Sequence, residues 1–141
     1  MRRYLSLVFL CLLGACSSGS NVGSKPLVEI LSQQPDGGAR IPFFELLTES
    51  KEIYMLQNDP LLRKKIKDSD LNLCNFVILN AGEQESFGYQ FSIDQAKETK
   101  DSIVIKTKLI PPSLVIKPEK DVYYTPFTVL KINSKKPILY K

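Results

Sequence analysis

From Leu73 onward, apolar residues recur at every second position, and that spacing restricts the fold more than any other feature of the chain. Phe87, Tyr89, Phe91 and Ile93 alternate with Gly88, Gln90, Ser92 and Asp94, which predicts a strand with one apolar and one polar face, Phe87 turned inward with the rest. Ile103, Ile105 and Leu109 repeat the pattern, with Lys106 and Lys108 facing water. Val122 to Ile132 reads as one long strand interrupted by Pro126, which has no amide to donate and therefore belongs at an edge or a bulge. Pro137 to Tyr140 reads as a short terminal strand or tail. Turn signals separate these runs at Ala81-Gly82, Lys100-Asp101, Pro111-Pro112-Ser113, Pro118-Glu119 and Asn133-Ser134.

Ahead of the strands the period is helical. Thr48-Glu49-Ser50 offers cap-type hydroxyls and acids before Ile53 and Leu56. Asp59-Pro60 marks a second start, with Leu62 and Ile66 four apart and Arg63, Lys64, Lys65 and Lys67 near the negative end of the helix dipole. The basic cluster reads as a solvated helix end, with an anionic membrane or partner as the alternative. The expected fold is therefore mainly β with a short helical segment (α+β): a small antiparallel β-sandwich or barrel-like sheet covered by one or two N-terminal helices.

With 141 residues, 43% of them hydrophobic, the chain has material for one core and one domain, expected over residues 27–141. Histidine and tryptophan are absent, which excludes a Ser-His-Asp or Cys-His relay, a His-ligated metal site and a haem with axial His. Ser86 and Ser113 lie in loops, but no spacing brings a lysine to either, and Glu83 and Glu85 read as a solvated turn. No catalytic residue, metal ligand or cofactor is expected, and the chain does not read as an enzyme.

The N-terminus is laid out as an export signal. Arg2 and Arg3 precede the apolar run Tyr4 to Leu13, whose ten residues would span about 15 Å as a helix, half of the roughly 30 Å that a membrane core requires. Residues 1–15 therefore read as a cleaved signal peptide. Leu13-Gly14-Ala15-Cys16 resembles the bacterial lipobox, which implies that Cys16 receives diacylglycerol and becomes the first residue of the mature protein. A thiolate is the one side chain nucleophilic enough to be alkylated into a stable thioether. Each buried CH₂ of an acyl chain contributes about 0.8 kcal/mol, so two or three chains hold a protein at a membrane essentially permanently. Residues 16–26 form the lipidated cysteine and a Ser/Gly-rich tether, eight residues of which reach at most about 29 Å. In a Gram-negative host, Ser17 in place of an acid after Cys16 resembles lipoproteins sorted to the outer membrane, facing the periplasm.

Loss of Met1 to Ala15 removes two arginines and no acid, so the formal charge falls from +4 to +2. No basic stripe with interleaved aromatics remains, which argues against nucleic acid as a partner. Cys11 leaves with the signal and Cys16 carries lipid, so Cys74 has no intramolecular disulfide partner. Its place in the strand-like run Leu71 to Leu79 reads as a small core side chain, a reactive or intermolecular thiol being the alternative.

Val77 to Ile93 resembles the C-terminal domain of the protease-complex-subunit PrcB family, whose pattern is an apolar strand, a glycine, a polar loop, Thr-Gly-Gly-Tyr and an alternating strand. Gly82, Ser86, Gly88 and Tyr89 match in place, with serine for threonine, and Phe87 stands where the first glycine of the pair belongs. Pro111-Pro112-Ser113 and Tyr124 to Leu130 fall where the family has a Pro-rich turn and a Thr/Ser-Pro-aromatic strand. The resemblance covers about residues 75–132. It implies an accessory lipoprotein that binds or stabilises an extracytoplasmic protease without being one.

The expected function is a membrane-anchored, non-catalytic binding module for another cell-envelope protein, a protease by the resemblance. The alternative is an outer-membrane assembly or cell-wall-associated lipoprotein with no protease partner. No small-molecule substrate is evident. The expected binding surface is the loop carrying Gly82, Glu83, Gln84, Glu85, Gly88 and Tyr89, with Pro111-Pro112 as its neighbour and Glu83, Gln84 and Glu85 as its exposed positions. Both glycines read first as fold-keeping residues.

Overall fold

The computed structural model describes residues 24–115 and 120–141. The signal segment, Cys16, most of the tether and the Pro118-Glu119 turn lie outside the described residues.

Among the described residues, seven strands and two short helices build a mainly β, α+β fold with two open sheets and no closed barrel. The first sheet has the order β1 (Val28–Gln34), β6 (Phe127–Ile132), β3 (Asn75–Asn80), β2 (Phe43–Leu47), all antiparallel. The second has the order β4 (Gln90–Glu98), β5 (Ile103–Ile110), β7 (Ile138–Tyr140). Helices α1 (Ser50–Gln57) and α2 (Asp70–Leu73) lie on the first sheet, opposite the second.

The first sheet is thus the middle of three layers, and its central strands show why their sequences lose the alternation. Along β3, Phe76 joins the helix-side core with Leu31, Leu47, Ile53, Leu62, Ile66, Cys74 and Val129. Val77 and Leu79 join the core between the sheets with Ile103, Ile105, Leu130 and Ile132. A strand covered on both faces needs apolar residues at nearly every position. On β4, where one face meets water, Phe91 and Ile93 are half-buried while Ser92 and Asp94 are exposed.

Several expectations change. The β4 strand starts at Gln90, so Phe87, Gly88 and Tyr89 precede it. The long strand begins only at Phe127; Pro126 stands just before it, at neither an edge nor a bulge, and its carbonyl accepts from the Ala81 amide at 3.0 Å. A central strand admits proline there because no donor is yet needed. The second sheet is mixed, since β7 pairs parallel with β5, Ile103 facing Ile138. Residues 133–137 cross from one sheet to the other without a hairpin, so the terminal strand arrives running the same way as β5.

The helical layer also differs from the reading of the sequence. Glu52 closes the start of α1 by accepting the amides of Glu49 at 3.1 Å and Thr48 at 3.2 Å, and Ile53 is fully buried. After Asp59, whose Oδ1 accepts the Leu61 amide at 2.7 Å, the chain makes successive turns and not a regular helix. The like charges of Arg63 and Lys67, four apart, oppose a continued helix, so no helix end with a dipole underlies the basic cluster. Leu62 and Ile66 still drop into the core. A four-residue helix forms instead at Asp70, and Cys74 caps its end before β3 begins; the thiol is buried as expected but is not a strand residue.

Candidate functional site

The loop from Ala81 to Tyr89 leaves the end of β3 at the same end of the sandwich as two other connections, β1 to β2 and β5 to β6, and short contacts tie all three together. Asn80, buried at the last position of β3, binds the incoming loop with both ends of its amide: Oδ1 accepts the Ala39 amide at 2.9 Å, and Nδ2 donates to the Ala39 and Ile41 carbonyls, each at 2.8 Å. The Thr125 amide donates to Asp36 Oδ1 at 2.8 Å and its hydroxyl at 3.0 Å, while the Gly38 amide donates to the Thr125 carbonyl at 2.8 Å. The bond from the Thr125 amide, then that from Gly37, holds the Asp36 carboxyl below its usual range.

The expected loop residues take different roles within this frame. Gly82 is buried, with φ of +70°, and a Cβ there would stand 2.8 Å from the Pro42 nitrogen; it keeps the fold and cannot meet a partner. Gly88, with φ of +103°, lies against Pro112, whose Cβ would be 3.2 Å from an added Cβ, so the Pro111-Pro112 turn is indeed the loop's neighbour. Glu83 is exposed and paired with Arg40, and its amide donates to the Arg40 carbonyl at 3.1 Å. Glu85 is exposed. Tyr89 is half-buried.

Two expectations fail here for a common reason. Gln84, read as exposed, is half-buried: its backbone exchanges hydrogen bonds with Tyr124 at 2.8 and 2.9 Å, and its side chain donates to the Ala81 carbonyl at 3.0 Å. Phe87, read as turned inward, is 54% exposed and meets Tyr124 edge to face, with ring centroids 5.2 Å apart. The Gln84–Tyr124 bridge pins the loop outside the sheet register, so the alternation that holds for Phe91 and Ile93 does not extend back to Phe87. Ser86, between the two, is buried.

The result is a braced platform that presents Phe87, Tyr123, Glu83, Glu85 and Arg40 to solvent. Phe87 is thus an exposed aromatic on the same loop as the exposed Glu83 and Glu85. Among the described residues no group of three Cys, Asp or Glu side chains is placed to hold a metal, and no helix is long and apolar enough to cross a membrane.

A second polar cluster, which the sequence reading missed, lies under the helices. Lys131 of β6 donates to Asp70 Oδ2 at 2.8 Å, with side chains 6% and 3% exposed. The Lys67 amide donates to the same oxygen at 2.9 Å, and the Cys74 thiol lies 3.7 Å from Oδ1. Burial pushes the Asp70 carboxyl up, but the bonds from Lys131 and Lys67 outweigh it and leave it below its usual range. Burial lowers Lys131, yet Asp70 outweighs that and raises it. Burial, then the Asp70 charge, raises the Cys74 thiol, which suits an inert core residue and not a nucleophile. The one signal in the sequence was a lysine at an inward position of an otherwise apolar run, Val129-Leu130-Lys131-Ile132.

Comparison with family models, with curated proteins and with solved structures gives no match.

Proposed function

We propose that the chain is a lipid-anchored, non-catalytic accessory module that holds another cell-envelope protein, a protease in the reading suggested by the resemblance to the PrcB family. Cys16 would carry the lipid and residues 17–26 the tether, with the outer membrane as the site in a Gram-negative host. The observation that carries the binding role is Phe87, an exposed aromatic fixed against Tyr124 on a loop whose backbone is tied at both Arg40 and Tyr124. A rigid aromatic contributes contact area with little entropy to lose, which is what anchors of protein interfaces share.

The test is co-purification from solubilised membranes, comparing the natural chain with a Phe87→Ala, Glu83→Ala, Glu85→Ala variant. Gln84 is left in place because it holds the loop. A protease recovered with the natural chain and lost with the variant supports the reading. Assembly factors or glycan fragments would favour the alternative of an assembly or cell-wall lipoprotein, and undiminished capture by a well-folded variant would remove the loop from the interface.

A further inference from the structure

Four strands end the two sheets, and three of them are guarded. Strand β1 carries a bulge between Ile30 and Ser32, its Leu31 carbonyl takes the Lys65 ammonium, and Gln33 reaches across to the Phe91 carbonyl at 2.8 Å. Strand β4 carries a bulge between Ile93 and Gln95 and the charges of Lys97 and Glu98. Strand β7 has three residues. Each is a known way of refusing a further strand.

Strand β2 has no bulge and no brace across its edge, and it carries one charge, Glu45. Phe43-Phe44-Glu45-Leu46-Leu47 runs in unbroken register against β3, contains no lysine, proline or bulge, and leaves Phe43 and Phe44 exposed. Among the described residues no backbone group of Phe43 to Leu47 bonds to anything but β3.

An apolar depression lies on each face of this edge. Between the sheets, about 250 Å³ is lined by Phe44, Leu79, Phe91 and Tyr140, with the Phe44 and Tyr140 rings 4.7 Å apart. On the helix side, about 360 Å³ is floored by Leu47, Met55, Leu56 and Ile78 and rimmed by Glu45 and Glu52. Among the described residues Glu45 has no ion pair.

We propose that β2 accepts an extended segment of a partner protein as a fifth strand, and that the segment alternates apolar residues with lysine or arginine. Successive side chains of an added strand point to opposite faces, so one set enters the mouth between the sheets and the other lies on the helix side. An apolar floor with an acidic rim suits a long aliphatic stem that ends in a cation. A second copy of this chain fits worse: the antiparallel two-fold pairing that keeps all five residues of β2 sets Glu45 opposite Glu45. The proposal needs neither the lipid nor the Phe87 loop.

The experiment titrates the full chain, in detergent, with a fluorescent seven-residue peptide alternating valine and lysine. Controls are the same peptide with glutamate for lysine, and one N-methylated at alternate backbone nitrogens. The lysine peptide should bind at least about tenfold more tightly than the glutamate peptide, and Glu45→Lys, an exposed change, should reverse that order. N-methylation should abolish binding, amide exchange should slow at residues 43–47, and the triple loop variant should bind the peptide as the natural chain does. Equal binding of both charges, binding that survives N-methylation, or protection confined to residues outside 43–47 would each overturn the proposal. So would a dimer in sedimentation whose protection maps to residues 43–47, because the second copy would then be the occupant.

Discussion

Replacing Lys131 with methionine strips a buried carboxylate of its counter-charge, and the surroundings of Asp70 set the size of the effect. Two unit charges 2.8 Å apart attract by about 6 kcal/mol at an effective dielectric constant of about 20, most of which offsets the cost of taking both from water. In the variant that cost remains for Asp70, and only the Lys67 amide and the Cys74 thiol are left to meet it. The expected loss is about 3–5 kcal/mol, a large share of the roughly 5–15 kcal/mol that holds a domain together. Urea unfolding followed by circular dichroism measures it, and a double-mutant cycle with Asp70→Asn should recover more than half of the loss. The pH dependence provides a second check. In the natural chain the depressed Asp70 stabilises the fold above the ordinary carboxylate range, and that stability is lost as pH falls through the depressed value. The raised Lys131 stabilises it up to the ordinary ammonium range, and that stability is lost as pH climbs through the raised value. Stability from this pair should therefore be flat from about pH 4 to about pH 10. In Lys131→Met, burial is opposed only by the Lys67 amide and the Cys74 thiol, so the Asp70 carboxyl should titrate higher than in the natural chain and the penalty should shrink as pH falls from neutrality. A variant that loses less than about 1 kcal/mol, or that shows no such reversal at acid pH, would refute the reasoning.

Three other outcomes follow from the structure and the sequence. Gly82→Ala should cost about 1–3 kcal/mol from its positive φ alone, and more from displacing Pro42, which thermal unfolding would register. Cys74 should react with a thiol reagent at least about a hundredfold more slowly in the native protein than in urea, because labelling a buried thiol requires the chain to open; rapid native labelling would contradict its burial. Cys16→Ser should release the protein from membranes or leave an uncleaved precursor, and intact mass of the natural protein showing an unmodified Cys16 would end the lipid assignment.

What the sequence disclosed depended on whether a residue's surroundings were local. The strand β5 was legible because Ile103 and Ile105 are inward while Lys106 and Lys108 meet water, a rule written within the strand itself. The Lys100-Asp101 hairpin was legible because Thr99 and Ser102 close it between themselves, at 2.8 to 3.0 Å. Phe87 was misread because its position is set by a bridge from Gln84 to Tyr124, forty residues away in the chain. The segment after Asp59 keeps the helical spacing of Leu62 and Ile66, with the Ile66 amide donating to the Leu62 carbonyl at 3.1 Å, but its bonds make separate turns and not a continuous helix. Gly82 and Pro111-Pro112 were recognisable as turn residues, whereas the partners they turn toward were not. Strands β1 and β2 went unread, as did the ion pair of Asp70 with Lys131, whose two halves lie 61 residues apart.

The middle position of β6 also fixes an order of events. Ile132 has Val28 beside it on one flank and Asn75 on the other, so the strand that joins the two halves of the first sheet follows its other three strands in the chain. Neither hydrophobic cluster is complete before it arrives, since Val129 belongs to one and Leu130 and Ile132 to the other. Pairings that close loops of a hundred residues form slowly. A ribosome or a membrane channel that releases the chain from its N-terminus would therefore free β1, β2 and β3 before the strand that completes both clusters. The lysine of β6 meets a carboxylate synthesised 61 residues before it.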